Sequence, residues 1–449
     1  MQYNLKLLIR FVYYSFFKSR GTNYRVTWKR AYKGFIFFVI YGTTELFTWI
    51  GYLADEIFFP AYRRQVIQEP VFIIGNYRSG TTFLQRVISM DQENFCSMLT
   101  WEIVFASSIT QRKIVWAIKA LDTRLGKPLQ RLLASIEKGT LEKVRFHKIG
   151  LREPEEDEYL FLHNFSTFGL WLYSIPWDLL KPYMRFDEEI AEEERDAIMM
   201  FYKRSLQRHF FAHGDQNHRL FSKNPAFTPK IKSILKHFPD ARFINLVRNP
   251  LEMLPSHMNL LSYGWHVLAD PAEEFFYLDE SIEMAQHWYQ YPLDVLSDLP
   301  EEQHILVNYD DLVSNPEQTV RRIYKQFNIS ITADFEEKLS QEVSKSRQHK
   351  GNSYTLKRMQ ISPDRILTEF EKVFSRFGFD PLGGKEEIFE FISVAEPVDP
   401  RNHIGLLKRL RHRIPWRRAL PRVRRSVKFA SSQMERTKMV DSQRQDIIK

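Results

Sequence analysis

Short apolar runs of strand length fall at Val71–Gly75 (VFIIG), Ala241–Val247 (ARFINLV) and His304–Val307 (HILV), each followed by a turn containing asparagine, glycine or proline. Runs of this length and composition, bounded by turn residues, read as buried strands of an open sheet. Between residues 100 and 218 the pattern shifts to helical period, rich in Leu, Phe, Trp and Glu and poor in glycine breaks. At the N-terminus Leu5, Leu8, Ile9, Val12 and Phe16 recur at helical spacing with Lys6 and Arg10 on another face. Near the C-terminus Leu406, Leu407, Leu410 and Ile414 do the same beside Lys408, Arg409, Arg411 and Arg413. The pattern predicts an α/β protein in which a parallel sheet is flanked by helices. The core spans residues 66–385 with a largely helical insertion at 100–218, between amphipathic helices over 1–65 and a basic tail over 386–449.

The turn after the first run carries the most chemistry. Asn76-Tyr77-Arg78-Ser79-Gly80-Thr81-Thr82 joins the strand to a helix that opens near Phe83. Backbone N–H groups of such a turn and the N-terminus of the helix converge on an anion. A nucleoside-triphosphate loop would need a lysine where Thr81 stands, to reach the outer phosphates. The charge sits instead at Arg78, whose planar fork grips an anion bidentately. That combination favours a nucleotide without a metal-bound triphosphate.

A second anchor lies in the run ending at Val247. Arg248 stands at the strand end, Pro250 suits the first turn of a helix, and Ser256 follows about two turns on. Ligands of open α/β sheets bind beyond the carboxyl ends of the strands, so Arg248 and Ser256 belong at the same edge as the Arg78 turn. The plain alternative for Arg248 is a surface pair with Glu252. A third segment, Asn308–Pro316 (NYDDLVSNP), follows the third run.

These three segments, in this order and covering residues 71–316, resemble the sulfotransferases that use 3′-phosphoadenosine 5′-phosphosulfate (PAPS), in particular their bacterial-type branch. The resemblance implies a P-loop-like nucleotide fold without a metal. It implies that Arg78, Ser79, Gly80, Thr81 and Thr82 hold the 5′-phosphosulfate and that Arg248 and Ser256 hold the 3′-phosphate. Phe83 takes the place of the ring that stacks on adenine, and Tyr309 that of the tyrosine approaching it; core packing is the commoner fate of either ring. Arg347-Gln348-His349-Lys350-Gly351 is a loose counterpart of a further phosphate-binding segment.

Sulfuryl transfer to a hydroxyl requires positioning, charge stabilisation and a base for the acceptor proton. Arg78 is placed to offset charge on the leaving nucleotide. The resemblance points to Glu102, in Thr100-Trp101-Glu102, as the base; its plain alternative is a half-buried structural carboxylate. The acidic run Arg152-Glu153-Pro154-Glu155-Glu156-Asp157 offers Glu155 as a rival, although a helix start complemented by acids reads the same way. Related enzymes often carry a histidine where this chain has Phe227, which excludes a base at that point. Lys223, in the same segment, is retained and is expected to touch the leaving phosphate or the sulfuryl group, with a structural salt bridge as the alternative.

Charge refines the picture. The chain of 449 residues has a formal net charge of +9. Residues 1–33 contribute +8, 401–428 contribute +11 and 429–449 contribute +1, which leaves −11 for residues 34–400. Basic, amphipathic ends on an acidic core suit docking on an anionic membrane surface, where each basic side chain contributes about 1 kcal/mol. Solvated ends are the plain alternative. Gly34–Leu53 comes nearest to a membrane span, but Gly42, Thr43, Thr44 and Glu45 interrupt it, and a charge near mid-bilayer costs roughly 2.5 to 3.5 kcal/mol. The first helix has basic residues within its apolar segment and no small-residue cleavage site, unlike a secretory signal. No nucleic-acid motif accompanies the basic ends. The single cysteine, Cys96, excludes an internal disulfide and fits a reducing compartment. No Cys/His cluster has metal-ligand spacing. The chain therefore reads as a cytoplasmic sulfotransferase, peripheral on the inner face of a membrane, acting on a hydroxyl of a lipid, glycolipid or other hydrophobic acceptor. A nucleotide kinase of the same loop superfamily and an inactive nucleotide-binding protein are the competing readings.

Overall fold

The computed structural model describes residues 3–140, 150–173, 175–215, 217–271, 273–346, 359 and 361–381, all within the larger of two units, Met1–Phe391. The Arg347–Gly351 segment and the basic tail lie outside the described residues.

The three apolar runs form strands, and two shorter ones join them: β1 (Val71–Gly75), β2 (Phe95–Cys96), β3 (Arg219–Lys223), β4 (Arg242–Val247) and β5 (His304–Asn308). All pair in parallel, in the order β2-β3-β1-β4-β5. A parallel sheet is covered on both faces, so its central strand is apolar throughout. Successive side chains of β1 take opposite sides. Phe72 and Ile74 join Phe243 and Val247 in one apolar cluster, while Val71 and Ile73 join Ile244, Leu246 and Val307 in another. Burying each such side chain stabilises the fold by roughly 1.5 to 3 kcal/mol. From β1 the chain crosses towards β3 and β2, whereas from β4 it continues outward to β5. The carboxyl ends of β1 and β4 therefore flank the crevice where such sheets bind ligands.

Helices α1 (Leu5–Val12) and α2 (Trp28–Phe58) precede the sheet, α3 (Thr81–Ile88) follows β1, and α4 (Thr100–Val104), α5 (Ile109–Arg124) and α6 (Pro128–Thr140) follow β2. Helix Glu192–His213 closes the helical insertion, and helices Pro250–Leu268 and Leu278–Leu296 follow β4.

Helix α2 adds to the sequence reading. Gly42, Thr43, Thr44 and Glu45 break the apolar run but not the helix, which continues through them for 31 residues. Glu45 is accommodated because it faces the protein, 2.7 Å from Nδ1 of His163, whose Nε2 lies 2.7 Å from the Ile103 carbonyl. Asp55, on the same face, accepts from the N–H groups of Ile109 and Thr110 at 2.8 Å each, capping α5, and pairs with Arg208 at 3.1 Å. An acid at a helix N-terminus is where the helix dipole favours it. Arg30 is buried too. The opposite face presents Phe35, Val39, Phe47, Ile50, Leu53 and Ile57 to the outside. The helix is thus inverted relative to a solvated surface helix, whose charges face out.

Helix α1 also turns differently from its pattern. Leu7 and Phe11 pack inward, and Leu5 and Ile9 are exposed with Lys6 and Arg10.

Candidate active site

The turn after β1 is built by two glycines. A Cβ on Gly75 (φ +122°) would fall 2.2 Å from the Leu246 carbonyl oxygen, so only glycine lets β1 end against β4. At Gly80 (φ +90°) a Cβ would fall 2.8 Å from Cδ2 of Tyr309, whose ring packs on the bare Cα. Between them Arg78 adopts φ +68°, a left-handed conformation costly for a residue with a side chain and concentrated at functional sites. Helix α3 then starts at Thr81, leaving its first N–H groups directed at the turn. The Ser79 hydroxyl is fully buried and has no protein partner among the described residues.

The turn and the segment after β4 meet. Arg78 donates from Nε to the Ser256 hydroxyl at 2.9 Å, and Arg248 donates from Nη1 to the Arg78 carbonyl at 3.0 Å. Asn249 caps the helix carrying Ser256, accepting from Leu251 at 3.0 Å, with Pro250 in its first turn. The Arg248–Glu252 pair is present at 2.8 Å, yet the arginine side chain is 17% exposed, so it is no free surface pair. Its guanidinium sits 4.0 Å from the Tyr309 ring centroid. Arg78, Ser79, Gly80, Arg248, Ser256 and Tyr309 are thereby brought together. Thr81 is buried at the helix start, Thr82 is exposed, and Phe83 is half-buried with Arg86 over its ring at 5.8 Å.

Lys223 ends β3 in register with Ile73 of β1, and its buried ammonium donates to Glu156 at 2.6 Å. The acidic run around it is not a solvated helix start. Pro154 bridges to Leu99, and a short 3-10 turn, Asp157–Leu162, carries the acids inward. Burial raises Asp157 to about 6 against hydrogen bonds from Tyr202, Ser222 and Asn224, and Glu158 pairs with buried Lys230 at 2.7 Å. Glu155 is buried. Glu156, 16% exposed, keeps access to the outside. Burial, then the charges of Glu156 and Glu158, pushes the Tyr77 hydroxyl up, which places this cluster beside the turn after β1.

Glu102 lies in a different setting. One carboxylate oxygen accepts from the Leu99 N–H at 3.0 Å, capping its own helix, and the other is 2.8 Å from His213 Nε2. Burial pushes its pKa up. The His213 hydrogen bond, the charge of Arg112 and the Leu99 N–H outweigh that and bring it down to about 2. The folded value lies below the unfolded one near 4.5, so the stabilisation is whole above about pH 4.5 and is lost as pH falls towards 2. Glu102→Gln is therefore expected to cost about 3 kcal/mol at neutral pH. Calorimetric melting across pH 2–7 checks this, since the gap in stability between parent and variant should close as pH falls from about 4.5 towards 2.

Glu102, His209 and His213 place their ligand-type atoms within 4.8 Å of one another, a cluster that sequence spacing did not reveal. The two histidines are four apart on one helix, which is the signal that was available. Nδ1 of His209 is already 2.7 Å from the Arg112 guanidinium, and burial followed by that charge drives the ring pKa well down. A second cation at that nitrogen would face a buried, permanent charge, so Glu102 and His209 are held with Arg112 as a buried charge-paired group, with His213 exposed at its edge. Cys96, half-buried, lies 3.1 Å from His209 Nε2, and burial pushes its thiol up to about 12.

One residue of the site escaped the sequence reading altogether. His257, next to Ser256, is 2% exposed, stacks on Tyr77 at 5.7 Å and 15°, and has no hydrogen-bond partner on either ring nitrogen among the described residues. Its adjacency to Ser256 was the only clue in the chain.

A five-stranded parallel sheet with a glycine-framed turn after β1 and two arginines meeting at the carboxyl ends of β1 and β4 defines an α/β fold with its candidate site at the strand ends. The signature of the sulfotransferase family covers residues 70–334, and the chain belongs to that family. It is a sulfotransferase enzyme. The omega-hydroxy-beta-dihydromenaquinone-9 sulfotransferase Stf3 of Mycobacterium tuberculosis is 24% identical over 321 residues, covering 70% of this chain and 76% of that protein; its Mycobacterium bovis counterpart matches equally. Sulfotransferase STF9 of Mycobacterium avium shares the fold at TM-score 0.59 and 19% identity, over 74% of this chain and 82% of its own. STF1 of M. tuberculosis does so at 0.56 and 17%, over 72% and 81%.

Proposed function

We propose that the enzyme moves the sulfuryl group of PAPS to a hydroxyl of a membrane lipid. The observation carrying this is the convergence of Arg78, Ser256 and Arg248, which supports a single site for a nucleotide charged at both its 5′ and 3′ positions. Arg78, the buried Ser79 hydroxyl and the N–H groups of residues 80–82 would hold the phosphosulfate. Arg248, three of whose five N–H donors are engaged by Glu252 and Arg78, would offer the others with Ser256 to the 3′-phosphate. Tyr309 and Phe83 would flank the base. Thr81 in the lysine position disfavours the kinase reading. Calorimetry with adenosine 3′,5′-bisphosphate in a chelator tests the assignment: micromolar binding without magnesium is expected, and no binding overturns it.

For the acceptor proton the geometry favours Glu156 over Glu102. Glu102 is weakly basic and fully committed, whereas Glu156 faces Lys223 and influences Tyr77. A positioned base contributes a factor of roughly 10² to 10⁴. Glu156→Gln should lower the turnover of sulfated lipid by about that factor with nucleotide affinity retained. A larger loss in Glu102→Gln, measured at a temperature where that variant is still folded, would restore Glu102.

The lipid reading draws on the named substrate of the mycobacterial relative and on the inverted helix α2. The exposed apolar faces of α2 and of its neighbour α5, at Ile114, Ile118, Leu121 and Leu125, would rest on the cytoplasmic leaflet without crossing it.

A further inference from the structure

Protein interiors rarely leave a polar side chain without a partner, because the lost solvation is not recovered. The buried imidazole of His257 is such a case, and its position is not arbitrary. It follows Ser256 on the helix Pro250–Leu268, lies face to face with the Tyr77 ring, and is close enough to Arg78 to feel its charge. Tyr77 and Arg78 both belong to the turn assigned to the 5′ end of the nucleotide. Burial, then the Arg78 charge, pushes the ring down to about 3, so at neutral pH it offers one N–H donor and one lone pair. A core histidine kept for packing alone would do better as phenylalanine, which stacks on a tyrosine equally well and leaves nothing unsatisfied. The unmet donor points to a ligand atom.

We propose that His257 is a further ligand of the donor nucleotide, its ring N–H donating to an oxygen of the 5′-phosphosulfate and, after transfer, of the 5′-phosphate. This rests on the PAPS reading and adds a contact that discriminates the 5′ end from the 3′ end. The neutral donor holds the group without adding a second full charge beside Arg78, so the sulfuryl oxygens are oriented while the phosphate remains free to leave.

The test compares the parent protein with His257→Phe and His257→Asn by calorimetry, using adenosine 3′,5′-bisphosphate and adenosine 3′-monophosphate, which lacks the 5′ group. His257→Phe should weaken the bisphosphate about tenfold and leave the 3′-monophosphate unchanged, while the melting temperature of the free protein holds or rises. His257→Asn, which restores an N–H donor, should bind the bisphosphate with intermediate affinity and covers the case of a misfolded phenylalanine variant. Unchanged bisphosphate affinity in both variants overturns the inference and leaves the nucleotide assignment standing. Equal losses for the two ligands also overturn it, since they report general damage to the site. Failure of the parent protein to bind either ligand removes the nucleotide reading itself.

Discussion

Arg248→Ala is expected to weaken adenosine 3′,5′-bisphosphate by about a thousandfold, the largest effect of any single change at the nucleotide site. Two charge-assisted hydrogen bonds to a phosphate contribute roughly 1.5 to 3 kcal/mol each, and both vanish. The arginine also positions its neighbours. Its Nη1 donates to the Arg78 carbonyl at 3.0 Å, and its planar face lies on Tyr309 at 4.0 Å, so its removal should loosen both the turn and the Tyr309 ring. Lysine cannot reproduce the fork or the stacking, and Arg248→Lys should recover less than a tenth of the lost affinity. The Glu252 pair supplies the control. Glu252→Gln breaks the ion pair at 2.8 Å but leaves the donors available, so it should change affinity only a few-fold. Calorimetry reads all three variants. An Arg248→Ala protein that keeps its fold and binds within tenfold of the parent would place the 3′-phosphate elsewhere and undo the two-ended assignment.

The strands that lead into the candidate site were legible because each is a short apolar run closed by turn residues, even though Leu306 of β5 is exposed. Val71–Gly75 leads to Arg78, Arg242–Val247 to Arg248, and His304–Asn308 to Tyr309. The two other strands were hidden. β2 is a pair of residues, and β3 reads RLFSK, with only Leu220 and Phe221 apolar between charged ends. What the sequence could not show was pairing over distance. Glu45 looked like a flaw in an apolar span, yet its partner His163 lies 118 residues on and nothing local announces it. Glu102 read as a candidate base from its segment, while the residues that commit it, His213 and Arg112, come from other helices. The acids after Pro154 read as a helix start facing water. Their partners Lys223, Ser222 and Lys230 arrive with β3 and the turn after it, some seventy residues later, and draw them inward. His257 carries no motif, and only its lack of partners in a packed site exposes it.

The inverted helix α2 yields the second large effect. Phe47, Leu53 and Ile57 are 60%, 63% and 63% exposed on a face with no charge to keep it in water. If that face rests in the acyl boundary, moving three such side chains out of water contributes about 4 kcal/mol, so Phe47→Glu, Leu53→Glu and Ile57→Glu combined should lower partitioning onto vesicles roughly a thousandfold. The substitutions leave Glu45, Asp55 and their partners untouched, and both melting temperature and affinity for adenosine 3′,5′-bisphosphate should match the parent. Co-sedimentation with zwitterionic vesicles isolates this apolar contribution. Vesicles containing anionic lipid add the basic ends, worth about 1 kcal/mol per side chain near the surface, and deletion of residues 404–428 should remove most of that increment alone. The two changes act through different physics, and salt separates them: 0.5 M sodium chloride should screen the tail and spare the helix. A triple variant that sediments like the parent on zwitterionic vesicles would mean that the exposed face meets another protein surface, and the acceptor would then have to reach the enzyme from solution or from that partner.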